Sequence, residues 1–224
     1  MTRQRLIAVL AAATALAAVL VGASQLGARD SEPVTEAAKG SLAGIPQRGL
    51  SLGSPDAPVT LVEYADLQCP YCAEWAVRTF PVLVRDYVRT GKLRIVFHGL
   101  AFLGPDSDTA LRTALAASRE NKLWDVVEGF YRHQGGENSG WVTDKLIDEV
   151  AAEAGLDADQ LRGQRDESWV SAELRRAAAA ANAAGVQGTP TFQLGRTGGK
   201  LERLKLTSLG PEGMRPAIDA LLRG

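Results

Sequence analysis

Cys69 and Cys72 are the only cysteines among 224 residues, and they stand two residues apart as Cys69-Pro-Tyr-Cys72. Two thiols at this spacing can form and break a disulfide with each other, so the pair suits thiol–disulfide exchange. That chemistry needs an attacking thiol and a resolving thiol of different character. The local sequence supplies the difference. Pro70 suits the first helical position, where its missing N–H costs nothing, which puts Cys69 at the N-cap. A thiolate there receives the free amides of the first turn and the positive end of the helix dipole. Cysteines in such positions have pKa values of roughly 3.5–7.5 instead of about 8.5. Cys72, one turn in, is expected to be less exposed and nearer its ordinary pKa. A purely structural disulfide is disfavoured because so short a loop removes little unfolded-state entropy. Half of a zinc site would need two more ligands, and His98 and His133 lack the spacing.

The pair has to be held where a strand meets a helix. Val59–Ala65 is rich in β-branched and apolar residues and reads as a buried strand. The stretch from Ala73 reads as a helix to about Arg89, kinked or split by Pro81 and ended by Thr90-Gly91. Lys92–His98 reads as a second strand and Gly99–Pro105 as a loop. Helices follow from a cap at Ser107 or Asp108 to about Ala117, over Leu123–Tyr131, over Asp144–Ala154 with Thr143 as cap, briefly after Asp157, where Gln160 completes a capping box, and over Trp169–Ala184. Gly155 and Gly185 are the expected stops. A strand at Thr191–Leu194, a turn at 196–199 and a strand at Leu201–Leu206 make a hairpin. A final helix covers about Glu212–Leu222, with Pro216 awkwardly placed inside it. The order β–α–β, helical block, β–β–α predicts an α/β fold: a small mixed sheet with helices on both faces.

Ahead of this domain, Arg3 and Arg5 precede an apolar run from Leu6 to Val21 in which Thr14 is the only polar residue. That is the pattern of a secretory signal. Sixteen helical residues reach about 24 Å against about 30 Å of bilayer hydrocarbon, and extension to Ala28 would span it. Residues 1–28 are therefore expected to be a signal peptide or an N-terminal membrane anchor. Residues 29–49 read as a linker, and 50–224 as one domain. Outside the cytoplasm disulfides persist, and one thiol pair is too few for a disulfide-stapled scaffold. A net charge of −1 gives no reason to invoke nucleic acid.

Cys69-Pro-Tyr-Cys72 after a strand, with Gly188-Thr-Pro190 before a late hairpin, resembles the thioredoxin fold. More closely, the domain resembles the DsbA-like branch of exported thiol–disulfide oxidoreductases, which carries a helical insertion matching about 105–184. Gly53-Ser-Pro-Asp-Ala-Pro-Val-Thr60 and Phe97-His-Gly-Leu-Ala-Phe-Leu-Gly-Pro105 also look like that branch. The resemblance implies that Cys69 is the nucleophile and Cys72 the resolving thiol. It implies that Pro190 is a cis-proline facing them, with Thr189 presenting its backbone to an incoming peptide. It implies that Glu63 is a buried acid that takes or relays protons for Cys72; a strand-end carboxylate reaching solvent is the alternative. Two positions depart from the strongest oxidants of the branch. Tyr71 stands where they often have His, and Thr189 where they often have Val.

The expected function is an exported oxidase of dithiols in secreted proteins, working through a redox-active Cys69–Cys72 disulfide with no other cofactor and no metal. Its partners would be unfolded or folding exported proteins with free thiols and an integral-membrane redox protein that reoxidises the pair. A monomer is expected, since no separate dimerisation segment stands out. A reductase or isomerase on the same scaffold, and a redox-inert peptide-binding module, are the alternatives.

Overall fold

Strand β3 (Val59–Asp66) is buried along its whole length, and the other elements are layered around it. In the computed structural model, which describes residues 42–224, β3 runs parallel to β4 (Leu93–Leu100) and antiparallel to β5 (Thr191–Arg196). Strands β1 (Gln47–Arg48) and β2 (Ser51–Leu52) extend the sheet beyond β4, and β6 (Glu202–Arg203) extends it beyond β5, giving the order β1-β2-β4-β3-β5-β6. This is the mixed sheet of a thioredoxin fold. The side-chain period of two divides β3 cleanly. Val59, Leu61 and Ala65 face the main core, whereas Val62 and Tyr64 join a smaller cluster with Ala181.

The helices follow from local chemistry. α1 (Pro70–Arg78) opens with Cys69 as N-cap and Pro70 at its start. The chain then breaks at Thr79, because Pro81 can donate no hydrogen bond back to the previous turn. It continues as α2 (Phe80–Leu83) and a π-helical turn, Val84–Val88. The helical insertion comprises α3 (Pro105–Ala117), a 3₁₀ turn (Ser118–Glu120), α4 (Leu123–Arg132), α5 (Asp144–Ala154), α6 (Ala158–Gln164) and α7 (Ser168–Ala183). Thr143 caps α5 by accepting from the Leu146 amide at 3.2 Å, and Asp157 caps α6 by accepting from the Gln160 amide at 3.0 Å. The last helix, α8 (Pro211–Arg223), contains Pro216 and buries Met214 and Ile218. Trp75 of α1 donates its indole N–H to Met214 Sδ at 3.2 Å, tying the first helix to the last.

Four expectations need correction. The domain begins before residue 50: Leu42 and Ile45 are buried in the core, and Gln47–Arg48 pairs with Ser51–Leu52, so the end of the expected linker is folded. β4 continues to Leu100, through two residues read as loop, because all eight of its residues pair with β3. The strand expected over Leu201–Leu206 reduces to Glu202–Arg203, whose register with β5 covers only two residues. α3 starts three or four residues early, with Gly104 as N-cap rather than Ser107 or Asp108. The signal or anchor expected at 1–28 lies outside the described residues, as does most of the linker. Among the described residues no helix is long and apolar enough to cross a membrane.

Candidate active site

The end of β3, the start of α1 and the loop before β5 place the thiol pair. Cys69 sits at the N-cap with extended backbone (φ −71°, ψ 120°), its amide bonded to the Asp66 carbonyl at 3.0 Å. Both thiols are free. Cys72 is fully buried and Cys69 nearly so, while Tyr71 between them is 61% exposed. The Thr189–Pro190 bond is cis, and when Cys69 is protonated its thiol donates to the Thr189 carbonyl at 3.3 Å. Thr191 braces this loop by donating its hydroxyl to the Gly188 carbonyl at 2.7 Å.

The two thiols are held in opposite states. Cys69 is pulled down to about 6, chiefly by a hydrogen bond from the Cys72 thiol; burial opposes this, and the Thr189 side chain and the amides of Cys72 and Tyr71 add to it. Cys72 is pushed well above its ordinary value, first by burial, then by donating to Cys69, then by the charges of Glu63 and Cys69. At neutral pH the stable arrangement is a Cys69 thiolate accepting from a Cys72 thiol. The N-cap reading needs one refinement. Cys69 makes no full capping hydrogen bond to the first turn, so the neighbouring thiol contributes more than the helix amides.

Glu63 lies in the middle of β3, not at its end. It pairs with Phe97 on one side and Phe192 on the other, and both rings are fully buried. The residue is 1% exposed, which removes the solvent-reaching alternative. Neither carboxyl oxygen has a hydrogen-bond partner in the protein. Its acidity is therefore strongly suppressed: burial comes first, then the nearby charge of Glu128, then that of Cys69. Burial of this kind favours the protonated carboxyl, which can give a proton.

A second carboxyl anchors the approach to the cysteines. Asp66 is fully buried, yet it accepts from the Gln68 amide (2.9 Å), the Ser107 hydroxyl (2.5 Å) and the amides of Phe102 (3.1 Å) and Leu103 (3.2 Å). Gln68 carries the network into the helical insertion. Its side-chain amide donates to Ser107 at 2.9 Å and to Asn138 at 3.1 Å, and its carbonyl accepts from the Asn138 backbone at 2.6 Å. Gln134 donates to the carbonyls of Leu67 (2.8 Å) and Cys69 (3.2 Å). Gly104 is needed here: its φ is +150°, and a Cβ would come within 2.0 Å of the Asn138 side chain. Buried Tyr131 donates to the Asp66 carbonyl at 3.5 Å. These residues have no motif spacing; only Asp66 and Gln68 adjoin the cysteines in sequence. His98 stacks on Tyr64 and His133 meets Glu153, so neither histidine serves the thiols. Among the described residues no group of three or more His, Cys, Asp and Glu could hold a metal ion.

Comparison with known proteins agrees with this geometry. A family model described as thioredoxin matches residues 47–219. A probable disulfide bond formation protein D of Bacillus anthracis is 30% identical over 145 residues, which span 63% of this chain and 67% of the relative. The oxidised crystal structure of BdbD from Bacillus subtilis superposes with a TM-score of 0.69 at 23% identity, covering 80% of this chain and 98% of that one. A thioredoxin-like oxidoreductase from Silicibacter pomeroyi superposes with a TM-score of 0.62 at 26% identity, covering 83% and 98%.

Proposed function

This chain belongs to the thioredoxin family, in its DsbA-like branch, and is a thiol–disulfide oxidoreductase; from that premise we propose that it works as an oxidase of exported proteins. The observation that carries the direction is the unequal thiol pair. A Cys69 thiolate stabilised to about 6 lowers the energy of the reduced form, and a stabilised reduced form makes the disulfide the stronger oxidant. The relatives named for disulfide bond formation support the same direction, and the basic-then-apolar start of the chain supports export.

The reaction balances without another cofactor. A substrate thiolate attacks Cys69 Sγ of the Cys69–Cys72 disulfide. The new S–S bond forms at Cys69, and Cys72 leaves with the electron pair and takes a proton in its buried site. The substrate's second thiolate then attacks its own sulfur in the mixed disulfide and releases Cys69 as a thiolate. Two electrons have moved from substrate to enzyme. Thr189, beside Cys69 and carrying the backbone next to the cis-proline, is placed to pair with the substrate chain like a strand. A membrane redox protein would return the pair to the disulfide. Tyr71 and Thr189 make this a milder oxidant than the extreme members of the branch, with a potential between about −270 mV for thioredoxin and about −120 mV for DsbA.

The test mixes the oxidised protein with a reduced, unfolded substrate and no other oxidant. Stoichiometric appearance of substrate disulfides is expected, and Cys72→Ser should accumulate mixed disulfides at Cys69. Failure to oxidise the substrate, together with efficient reduction of insulin at a potential near thioredoxin's, would assign the reductase direction instead.

A further inference from the structure

Gln134 stands just after α4, far from the cysteines in sequence, and the exchange steps above do not use it. Its side-chain amide donates to the Leu67 carbonyl at 2.8 Å and to the Cys69 carbonyl at 3.2 Å. Both partners are acceptors, so only the NH₂ end of the amide fits, and its two hydrogens are both used. Gln134 thereby clasps the chain on either side of Gln68, whose own side chain goes to Ser107 and Asn138.

The helical insertion holds this side chain in place. His133 ends α4, and the Gln134 backbone amide turns back to the Tyr131 carbonyl at 3.5 Å. Gly135 comes next, where a Cβ would lie 2.5 Å from the Cβ of Trp141. Trp141 meets Phe130 of α4 edge to face at 6.2 Å. The backbone amides of Gly140 and Trp141 donate to Asp106 of α3 at 2.9 and 3.3 Å. Gln134 is thus fixed between the end of α4 and a loop pinned to α3.

At Cys69 the result is a fully satisfied backbone. Its N–H donates to the Asp66 carbonyl at 3.0 Å, and its carbonyl accepts from the Ala73 amide at 3.1 Å as well as from Gln134. A backbone carbonyl has two lone pairs, so both are taken. The sulfur is the polar group of Cys69 left to change partners as it passes from Cys72 to a substrate. The two donors also offset the negative end of the Cys69 carbonyl dipole, which would otherwise oppose a thiolate on the same residue.

We propose that Gln134 is a positioning residue for the exchange: by clasping the Leu67 and Cys69 carbonyls it fixes the N-cap from which the Cys69 sulfur reacts and favours its thiolate. The inference rests on the thiol chemistry proposed above and not on its direction. Gln134 carries no charge and acts through these two hydrogen bonds. The titratable groups coupled to Cys69 are Cys72 of α1, Glu63 of β3 and Tyr131 of α4.

Gln134→Met keeps the length of the side chain and removes both donors. In the reduced full-length variant the Cys69 thiolate, followed by ultraviolet absorbance over a pH series, should titrate about half a unit higher than in wild type. The shift is smaller than a whole hydrogen bond is worth, because the bond is to the backbone and not to the sulfur. The equilibrium constant with which the protein oxidises glutathione at neutral pH should fall by about threefold, the same half unit expressed as a ratio. Gln68→Ala is the control for a merely structural loss. It loosens the same stretch of chain but leaves the Cys69 carbonyl its donors, so both readouts should stay at wild type. Unchanged titration and equilibrium in Gln134→Met, or equal shifts in Gln68→Ala, would overturn the assignment. Should Gln134→Met not fold, the side-chain amide resonances of Gln134 in the wild-type protein decide the matter. They should move with the Cys69 step near 6; resonances that stay still through it refute the role. The expected shifts in a protein that fails to oxidise unfolded substrates would uphold the role of Gln134 and overturn the oxidase direction.

Discussion

Glu63 and Asp66 are both fully buried carboxyls on one strand, three residues apart, and their surroundings differ completely. Three residues is an odd step, so their side chains leave opposite faces of the sheet. Asp66 emerges at the strand end, where two loops and α3 converge, and gathers four donors. Glu63 emerges between Phe97 and Phe192 and gathers none. A buried carboxylate with a full set of donors builds structure. A buried carboxyl with none costs stability and is retained for what its proton can do. The pair of cysteines follows both acids in the chain: Asp66 sets where the loop to Cys69 runs, and Glu63 adds to burial and the Cys69 hydrogen bond in keeping Cys72 protonated.

The contrast is broken most forcefully at Asp66. Asp66→Ala strands four donors and should cost about 3–5 kcal/mol, the range for removing one member of a buried charged network; urea unfolding of the reduced protein measures it. A cost under about 1 kcal/mol would mean that the network holds nothing. Glu63→Leu should move stability the other way. It removes an unsatisfied buried group, worth about 1–3 kcal/mol. The pH dependence gives the sign independently. Glu63 has a folded pKa raised above its unfolded value, so the stability tied to its protonation is complete below the unfolded pKa and is lost as pH rises toward the folded one. Wild type should lose stability over that window, and Glu63→Leu should lose less. Equal slopes in wild type and variant would place the titration elsewhere.

Much of this was legible in the residues. The strand β3, the helix start at Cys69, the caps at Thr143 and Asp157 and the stop at Gly155 all rest on local preferences that act within a few residues. Of the four residues singled out with Cys69, Cys72 and Thr189 bond to it, Pro190 follows Thr189 across a cis bond, and Glu63 is buried on β3. The network through Ser107, Asn138 and Gln134 was not legible, because its partners are up to 70 residues apart and nothing local marks Ser107 as anything but a helix cap. The shortened β6 failed for a related reason, since a strand is defined by pairing and the register with β5 ends after two residues.

A smaller effect is expected where the network crosses into the insertion. Gln68→Ala removes hydrogen bonds to Ser107 and Asn138 while leaving Asp66 its donors, and should cost about 1–2 kcal/mol with the Cys69 titration unchanged. A loss as large as that of Asp66→Ala would make Gln68, not the carboxylate, the centre of the network.

The central claim is that the fold holds one thiol of the pair ionised and the other protonated. It is tested most directly by the ultraviolet absorbance of thiolate in the reduced protein as pH is raised. The account expects a step of one thiolate centred near 6, absent in Cys69→Ser, and no second step until well above the ordinary thiol range. Two thiolates appearing together near the ordinary cysteine value of about 8.5 would contradict it.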